Sequence, residues 1–285
     1  MNFIQIEIGK FMKNNTIGVI VPELKHTFFA AILDGIEEIA FQHGYTIKVG
    51  QSKEDPKREI AEIKTLLSSG IEGLLISISQ HTENSSHFRQ IINRSIPLVF
   101  FDRVCQGLKA SYVTVDDFEG AFKATEHLIL SGYKRIAHLA GPQFIPNMKN
   151  RLNGYKAALE KYQMTFDQEI IVYGYLDEDS GHKGMKALLL LKKKPDAIFA
   201  VNDPVAIGAL NQIKKASLNI RDDIGLVGFS DNPIAALLDP PLTTVAQPRY
   251  EIGITAAEIL FEHINGKSEL IEKVLKTKLI IRQSS

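Results

Sequence analysis

Short apolar runs alternate with amphipathic segments along most of the chain. The runs at 16–21 and 197–201 have the length of a strand, and their apolar residues do not alternate with polar ones. Such runs predict strands that are covered on both faces, as in a parallel sheet. In the segment 28–43 the apolar residues instead recur at helical spacing, which predicts an amphipathic helix. Strands and helices that alternate with short connections indicate parallel βαβ units.

This pattern begins a second time near residue 112. In the first half it predicts strands at 16–21, 45–50, 72–79 and 96–101, and helices at 28–43, 56–70 and 83–93. In the second half it predicts strands at 112–115, 135–140, 169–174, 197–202 and 224–229, and helices at 118–130, 151–162, 180–191 and from residue 203 onward. The sequence between the halves is not rich in Gly, Ser or Pro, so we expect the halves to pack closely together.

Two further elements are predicted near the end of the chain. The segment 249–264 has apolar residues on nearly every side of a helix, which is typical of a helix that is covered on two faces. We expect one face to pack on its own sheet and the other to meet a second subunit. The loosely alternating run at 274–281 predicts a last strand.

Polar residues follow the apolar run at 197–201, where the next helix begins. Asp203 is a good N-cap, and Pro204 suits the first helical turn. Ligands in open α/β sheets bind at the carboxyl ends of the strands, so Asn202 and Asp203 are candidate ligand contacts. Asp203 could serve only as the cap. Since a cap needs one polar residue, Asn202 is the stronger candidate for the ligand.

The composition narrows the class of protein. The 285 residues include 33 basic and 33 acidic side chains, so the net charge of +0 provides no field that attracts nucleic acid or membranes. The single cysteine, Cys105, fits a reducing compartment and excludes an internal disulfide framework. Apolar runs fall short of the roughly 20 residues that a membrane helix needs. The segment 1–15 is not a convincing signal peptide. We therefore expect a soluble, cytoplasmic protein.

Several kinds of catalytic or metal site are absent from the sequence. It contains neither GxGxxG nor a Walker-type phosphate loop. The eight histidines are scattered without HExxH spacing, which argues against a zinc site. GFSDN at 228–232 lacks the second glycine of a nucleophile elbow, and the lysines at 192–194 suit the end of a helix. We expect no cofactor and no metal.

The most specific stretches follow one another in a fixed order: TIGVIV; FFAAILDGIEEIA; IPLVFFDR; VDDFEGAFKATEHLILSGYKRIAHLAGP; RLNGYKAAL; AIFAVNDPVAIGAL; and IGLVGFSDNPIAALLDPPLTTVAQP. In this order they resemble the effector-binding core of the lactose-repressor/galactose-repressor family of bacterial transcription regulators. That core is similar to the periplasmic ribose-binding proteins. The resemblance covers nearly everything from Thr16 onward.

The resemblance implies an α/β fold of two Rossmann-like subdomains with parallel sheets, which resembles that of periplasmic binding proteins and has a hinge of three chain crossings. The crossings match Asp116-Asp117, Gln247-Pro248 and residues 276–278. The implied organisation is an N-terminal tail at 1–15, an N-terminal subdomain of 16–116 plus 248–276, and a C-terminal subdomain of 117–247 plus 277–285.

The resemblance also implies a ligand site in the cleft between the subdomains. Phe28 and Phe29 match aromatic residues that pack on a sugar ring, although we expect one of them to pack in the core. Asp102 and Arg103 match a pair that holds sugar hydroxyls, and Arg151 matches an arginine that faces this pair. The other matched positions are Ser77, Leu176, Asn202, Ser230 and Gln247. Polar groups of this kind suit a sugar, because its hydroxyl groups can form hydrogen bonds with side chains that would otherwise be buried without partners.

Two of these positions depart from the family pattern. The family usually has an aspartate where this chain has Ser230, and a bulky or aromatic residue where it has Leu176, with Tyr175 beside it. We therefore expect an effector that differs from those of the relatives or that binds with modest affinity. A neutral, polyhydroxylated molecule is predicted, and a sugar phosphate is the nearest competitor.

The implied function is the effector-sensing core of a sugar-responsive transcription regulator, without enzymatic activity and with a homodimeric assembly. The family binds DNA through a helix-turn-helix head. The segment 1–15 is too short for such a head, so we expect this chain alone to bind DNA weakly and without sequence preference. A solute-binding protein of a sugar transporter is the alternative, and an enzyme acting on a sugar is a third possibility. No membrane partner is expected.

Overall fold

The computed structural model describes residues 14–25, 27–105 and 107–285, so most of the predicted tail at 1–15 lies outside the described residues. Within these ranges the strands form two sheets of six strands each. The described residues contain no helix that is long and apolar enough to cross a membrane.

The first sheet is built mainly from the N-terminal half of the chain. Its strands are β1 (Thr16–Val21), β2 (Thr46–Gln51), β3 (Leu74–Ile76), β4 (Leu98–Phe101), β5 (Ser111–Val115) and β11 (Glu272–Leu275). They are arranged in the order β11-β5-β4-β3-β1-β2, with parallel pairing throughout. The helices of this half are α1 (Thr27–Gln42), α2 (Pro56–Ser68), α3 (Ser86–Asn93) and, from the C-terminal part of the chain, α8 (Arg249–Ile264).

The second sheet comes from the C-terminal half. Its strands are β6 (Ile136–Ala140), β7 (Ile171–Tyr173), β8 (Ala197–Ala200), β9 (Gly225–Ser230), β10 (Thr243–Ala246) and β12 (Lys278–Ile280). The order is β12-β10-β9-β8-β6-β7, and β12 pairs antiparallel with β10 whereas the other strands are parallel. The helices are α4 (Asp117–Leu130), α5 (Pro146–Lys161), α6 (Glu178–Leu189) and α7 (Asp203–Lys215), and short 3-10 helices lie at Gln168–Ile170 and Pro233–Leu237.

Three connections carry the chain from one sheet to the other. The chain leaves the first sheet between β5 and α4, returns between β10 and α8, and leaves again between β11 and β12. These connections coincide with Asp116, with Gln247-Pro248 and with residues 276–277. The predicted α/β fold of two parallel sheets with a three-crossing hinge is therefore confirmed.

Several predicted elements differ from the observed ones: the strand predicted at 72–79, for example, spans only Leu74–Ile76. The single strand predicted at 274–281 is wrong, because the chain changes sheets within it and forms β11 and β12 in different sheets. Helix α5 begins at Pro146 instead of residue 151. Pro146 occupies the first turn, where its missing N–H is tolerated. The earlier start adds Asn147 and Met148 to the buried face of α5.

Helix α8 is covered on two faces, as predicted, but both faces are covered by its own chain. One face lies on the first sheet and the other packs against α1. The two helices approach closely at Gly35 and Gly253, where a Cβ atom would overlap the backbone of the other helix. This packing removes the reason for placing a second subunit against α8.

Candidate functional site

A cavity of about 280 Å³ lies between the two sheets, where the carboxyl ends of their strands face each other. Several of its polar residues, such as Asp102 and Asn202, directly follow strands, because the connections from strands to helices in both sheets lie at this edge. All the residues proposed for the ligand site line the cavity except Ser77: they are Phe28, Phe29, Asp102, Arg103, Arg151, Leu176, Asn202, Ser230 and Gln247.

Asp102 follows β4 and presents a buried carboxylate to the cavity. Its backbone is left-handed, with φ of 58°, a conformation that aspartate tolerates better than most residues. Ser77, just after β3, donates to Asp102 Oδ2 at 3.3 Å. Burial raises the pKa of Asp102, against the opposing effects of Arg103 and Arg151. Ser77 thus acts behind the cavity by holding Asp102.

Arg103 is held by a carboxylate that the sequence analysis did not identify. Its Nη1 donates to both carboxylate oxygens of Glu54, at 2.8 and 3.1 Å. Its Nε lies 3.9 Å from Asp102 Oδ2, and its guanidinium is 6.0 Å from the centre of the Phe29 ring. The positive charge of Arg103 is therefore flanked by two carboxylates.

Arg151 reaches the cavity from α5 and is only 2% exposed. It donates from Nε to Asp117 Oδ1 at 2.8 Å and from Nη1 to the Val201 carbonyl oxygen at 2.7 Å. Its guanidinium also lies 3.7 Å from the centre of the Phe229 ring. Burial raises the pKa of Asp117 to about 6, although Arg151 opposes the shift. Arg151 therefore joins α4, α5 and the second sheet at the cavity wall.

Asn202 caps α7 and also lines the cavity, whereas Asp203 does neither. Asn202 is the N-cap of α7, and its Oδ1 accepts from the Val205 N–H at 2.9 Å. Its Nδ2 donates to the Leu176 carbonyl oxygen at 3.0 Å, although the residue also lines the cavity. The prediction of Asp203 as the cap is wrong, because the chain is extended at Asn202 and already helical at Asp203.

Asp203 is fully buried behind the cavity wall. Thr244 Oγ1 donates to its Oδ1 at 2.6 Å, and the Asn232 N–H donates to its Oδ2 at 2.7 Å. Burial raises the pKa of this carboxyl to about 6, although both hydrogen bonds oppose the shift. Asp203 thereby fixes the loop after β9, which carries Asn232 to the cavity.

The two phenylalanines at the start of α1 combine the expected roles. Phe28 and Phe29 are 8% and 5% exposed and belong to the apolar core, and both also line the cavity. Their rings meet edge to face with centroids 5.1 Å apart. The small apolar surface opposite them comes from Leu176 and Met148.

Three amide side chains add acceptors to the cavity wall. Asn147 Oδ1, Asn232 Oδ1 and Gln247 Oε1 are buried and have no hydrogen-bond partner among the described residues. The Nε2 of Gln247 donates to Ser230 Oγ at 3.0 Å, which brings two predicted residues together. Sequence reasoning missed Asn147 because it placed the start of α5 too late. Sequence reasoning considered Asn232 only as part of GFSDN at 228–232 and assigned it no role in the ligand site.

Residues from both halves also meet at the mouth of the cavity. Gln80 Oε1 accepts from the Leu176 N–H at 3.0 Å. The rings of His81 and Tyr175 meet with centroids 4.7 Å apart. Gln80 and His81 follow β3, a loop position for which the sequence pattern gave no signal. In the ranges that the structure describes, no group of three His, Cys, Asp or Glu residues could hold a metal ion.

The chain is similar to known proteins over nearly its whole length. The family model described as periplasmic binding proteins and sugar binding domain of LacI family matches residues 14–283. The HTH-type transcriptional repressor CytR of Escherichia coli is 34% identical over 283 residues, which cover 98% of this chain and 82% of the repressor.

Two solved structures of regulators that hold a sugar have a similar fold. One is a complex of the transcriptional regulator CelR with cellobiose, at 28% identity and a TM-score of 0.87, covering 96% of this chain and 85% of that one. The other is a LacI family transcriptional regulator from Enterococcus faecium with bound ribose, at 26% identity and a TM-score of 0.82, covering 95% and 98% of the two chains.

Proposed function

The chain belongs to the LacI family, with its sugar-binding domain matching residues 14–283, and we propose that it senses a sugar-like effector for a transcriptional repressor. The observation that carries this proposal is the cavity between the two sheets. Asp102, Arg103 and Gln247 line it together with the rings of Phe28 and Phe29. Charged and amide groups beside aromatic faces suit a ring that carries hydroxyl groups.

The proposed contacts follow from the bonding of each side chain. Asp102 can accept hydrogen bonds from ligand hydroxyl groups, since Ser77 is the only described side chain that donates to its carboxylate. Gln247 and Asn147 offer further acceptors. Arg151, Asn202 and Ser230 also line the site, but Arg151 and Asn202 serve the protein structure at the same time.

The regulator is favoured over a solute-binding protein of a transporter because CytR is a transcriptional repressor and the similar structures are transcriptional regulators. The family binds small-molecule effectors and DNA. We propose a cytoplasmic homodimer without enzymatic activity, whose subdomains change their relative angle when the effector binds.

A thermal-shift screen tests the proposal. The purified chain is heated with ribose, galactose, glucose and cellobiose at millimolar concentration, with mannitol as an open-chain polyol control. A ligand at a hundred times its Kd adds about 2.7 kcal/mol to the free energy of unfolding, which raises the melting temperature. We expect at least one cyclic sugar to do this. A screen in which no sugar shifts the melting temperature would contradict the proposal.

A further inference from the structure

The turn between β2 and α2 places Glu54 in the cavity at the expense of an unfavourable backbone. Lys53 and Glu54 are both left-handed, with φ of 49° and 59°. Residues other than glycine rarely adopt this conformation, and consecutive ones are less common still. Backbone strain of this kind is concentrated at functional sites. Glu54 itself lines the cavity, so the turn serves to deliver its carboxylate.

The Glu54 carboxylate makes two connections. Both oxygens accept from Arg103 Nη1, at 2.8 and 3.1 Å. Oε2 also accepts from the Gln80 N–H at 2.7 Å. Gln80 in turn contacts the second half of the chain through the Leu176 N–H. Glu54 therefore sets both the charge around Arg103 and the position of the loop that meets the opposite wall.

The other charges of the cavity leave little attraction for an anion. Arg151 is paired with Asp117, and Asp102 adds a second carboxylate beside Arg103. Lys25 is largely exposed at the mouth, with Nζ 3.9 Å from Glu23. A phosphate or carboxylate bound near Arg103 would meet the negative charges of Glu54 and Asp102. Like charges repel each other more strongly beside buried groups such as these than they do in bulk water.

The unpartnered groups of the wall point to the same class of ligand. Asn147, Asn232 and Gln247 each present a buried oxygen that lacks a donor among the described residues. A ligand satisfies these oxygens only by donating, and hydroxyl and amino groups can do so whereas a phosphate dianion cannot. The carboxylates around Arg103 and the unpartnered amide oxygens therefore both favour an uncharged or cationic ligand that carries hydroxyl or amino groups.

We propose that Glu54 is the residue that determines ligand class, because it neutralises Arg103 and restricts the cavity to uncharged or cationic ligands rich in hydroxyl or amino donors. Glu54 thus excludes sugar phosphates, the competing class of effector. This inference rests on the proposed function in one respect, that the cavity is the effector site.

Inorganic phosphate is the probe that tests the inference. It is titrated calorimetrically at constant ionic strength into the wild-type chain and into Glu54→Gln, which keeps the shape of the side chain and an acceptor for Gln80. The control is Glu37→Gln, which makes the same charge change on the exposed surface of α1. We expect phosphate to bind Glu54→Gln at least tenfold more tightly than it binds wild type or the control.

Two further variants complete the test. Glu54→Gln combined with Arg103→Leu is expected to return phosphate binding to the wild-type level, because the freed guanidinium is gone. Glu54→Ala is judged by the same tenfold criterion if Glu54→Gln fails to fold by circular dichroism. The inference is overturned if wild type binds phosphate as tightly as the variant does, or if the double variant keeps the gain. Since the probe is not a sugar, the sugar screen can fail or succeed independently.

Discussion

Arg151 shows how one residue can line the cavity and also hold the fold together. Its guanidinium bonds to Asp117 and to the Val201 carbonyl oxygen while lying on the Phe229 ring. Removing one partner of a buried ion pair leaves an uncompensated charge, which typically costs about 3–5 kcal/mol. A loss of ligand binding in an Arg151 variant would therefore not distinguish a ligand contact from a structural one.

We expect Arg151→Ala to lower the free energy of unfolding by about 3–5 kcal/mol. Arg89→Ala, on the exposed surface of α3, is the control and should change it by less than about 0.5 kcal/mol. Urea denaturation monitored by circular dichroism measures both. Equal stability of the two variants would show that the Arg151 contacts do not support the fold.

The buried carboxyl of Asp203 should make the free energy of unfolding depend on pH. Burial raises its pKa to about 6, whereas an aspartate in an unfolded chain titrates near 3.8. Between these values folding takes up a proton, so this group stabilises the folded chain most at low pH. Its contribution is lost as the pH rises through about 6.

Asp203→Asn removes that titration and isolates its effect. From about pH 4 to about pH 7.5, the free energy of unfolding of the variant should rise relative to that of wild type by about 2 kcal/mol. The comparison cancels the other titrating groups, which both proteins share. Denaturant titrations at the two pH values provide the measurement. A difference that does not change with pH would mean that the Asp203 carboxyl titrates normally.

At the residue scale, the sequence predicted which positions line the cavity better than it predicted what each one does. Asp102 and Gln247 could be matched because family motifs carry them. Which of Asn202 and Asp203 caps α7 depends on where the helical backbone begins, and both residue types make good caps. Glu54 was missed because its position depends on two left-handed residues, which the residue types at 53 and 54 do not predict.

Among the elements, the crossing of α1 and α8 is the clearest case of packing that depends on small residues. Gly35 and Gly253 let the two backbones approach so closely that a side chain on either would overlap the other helix. Ala40, Ala256 and Ala257 are buried nearby in the same core. The close approach explains why α8 is apolar on two faces without a second subunit.

Gly253→Ala tests this packing. The added methyl group would overlap the Ile32 carbonyl oxygen, which belongs to the backbone and cannot rotate away. Forcing such overlap in a packed core costs roughly 1–3 kcal/mol, more than the gain in helix propensity. Glu258→Ala on the exposed face of α8 is the control. If thermal denaturation finds Gly253→Ala as stable as the control, α1 does not cover α8 in this way.

The elements that the sequence predicted well are the buried parallel strands and their helices. β1 and α8 have the predicted bounds because each is marked by a clear apolar pattern. The failure at 274–281 has a physical reason, since the apolar residues of β11 and β12 form one loose run although the strands belong to different sheets. Only the chain crossing that the family resemblance places at 276–278 indicated a break within this run.

For the whole molecule, the structure contains contacts between the two halves beside the cavity. Gln80 contacts Leu176, His81 contacts Tyr175, and the Asn147 amide donates to the Asp102 carbonyl oxygen at 3.4 Å. The proposed change of angle between the subdomains would break or rearrange these contacts. The subdomain boundaries at 116, 247 and 276 stay predictions. The two sheets show where the chain passes from one to the other, but they do not show which residues move together as a rigid unit.

The homodimer is also a prediction at this scale. We expect sedimentation velocity to find a dimer when the chain is present at tens of micromolar. Glu258→Ala, on the exposed face of α8, should leave the dimer intact, because the apolar faces of α8 pack within their own chain and give no reason to place the interface there. A monomer at this concentration would contradict the assembly. If wild type is a dimer and Glu258→Ala is a monomer, α8 lies at the dimer interface after all.

If the cavity between the sheets binds a sugar through Asp102, removing the charge of Asp102 must weaken binding. Calorimetric titration of one sugar into wild type and two variants measures this effect. Asp102→Asn keeps the left-handed backbone, which asparagine also tolerates, but removes the charge. Asp222→Asn, in an exposed turn, is the control. We expect one sugar to bind per chain. Asp102→Asn should weaken the affinity at least tenfold, about 1.4 kcal/mol, and the control should leave it unchanged. Equal affinity of wild type and Asp102→Asn for the sugar would contradict this expectation.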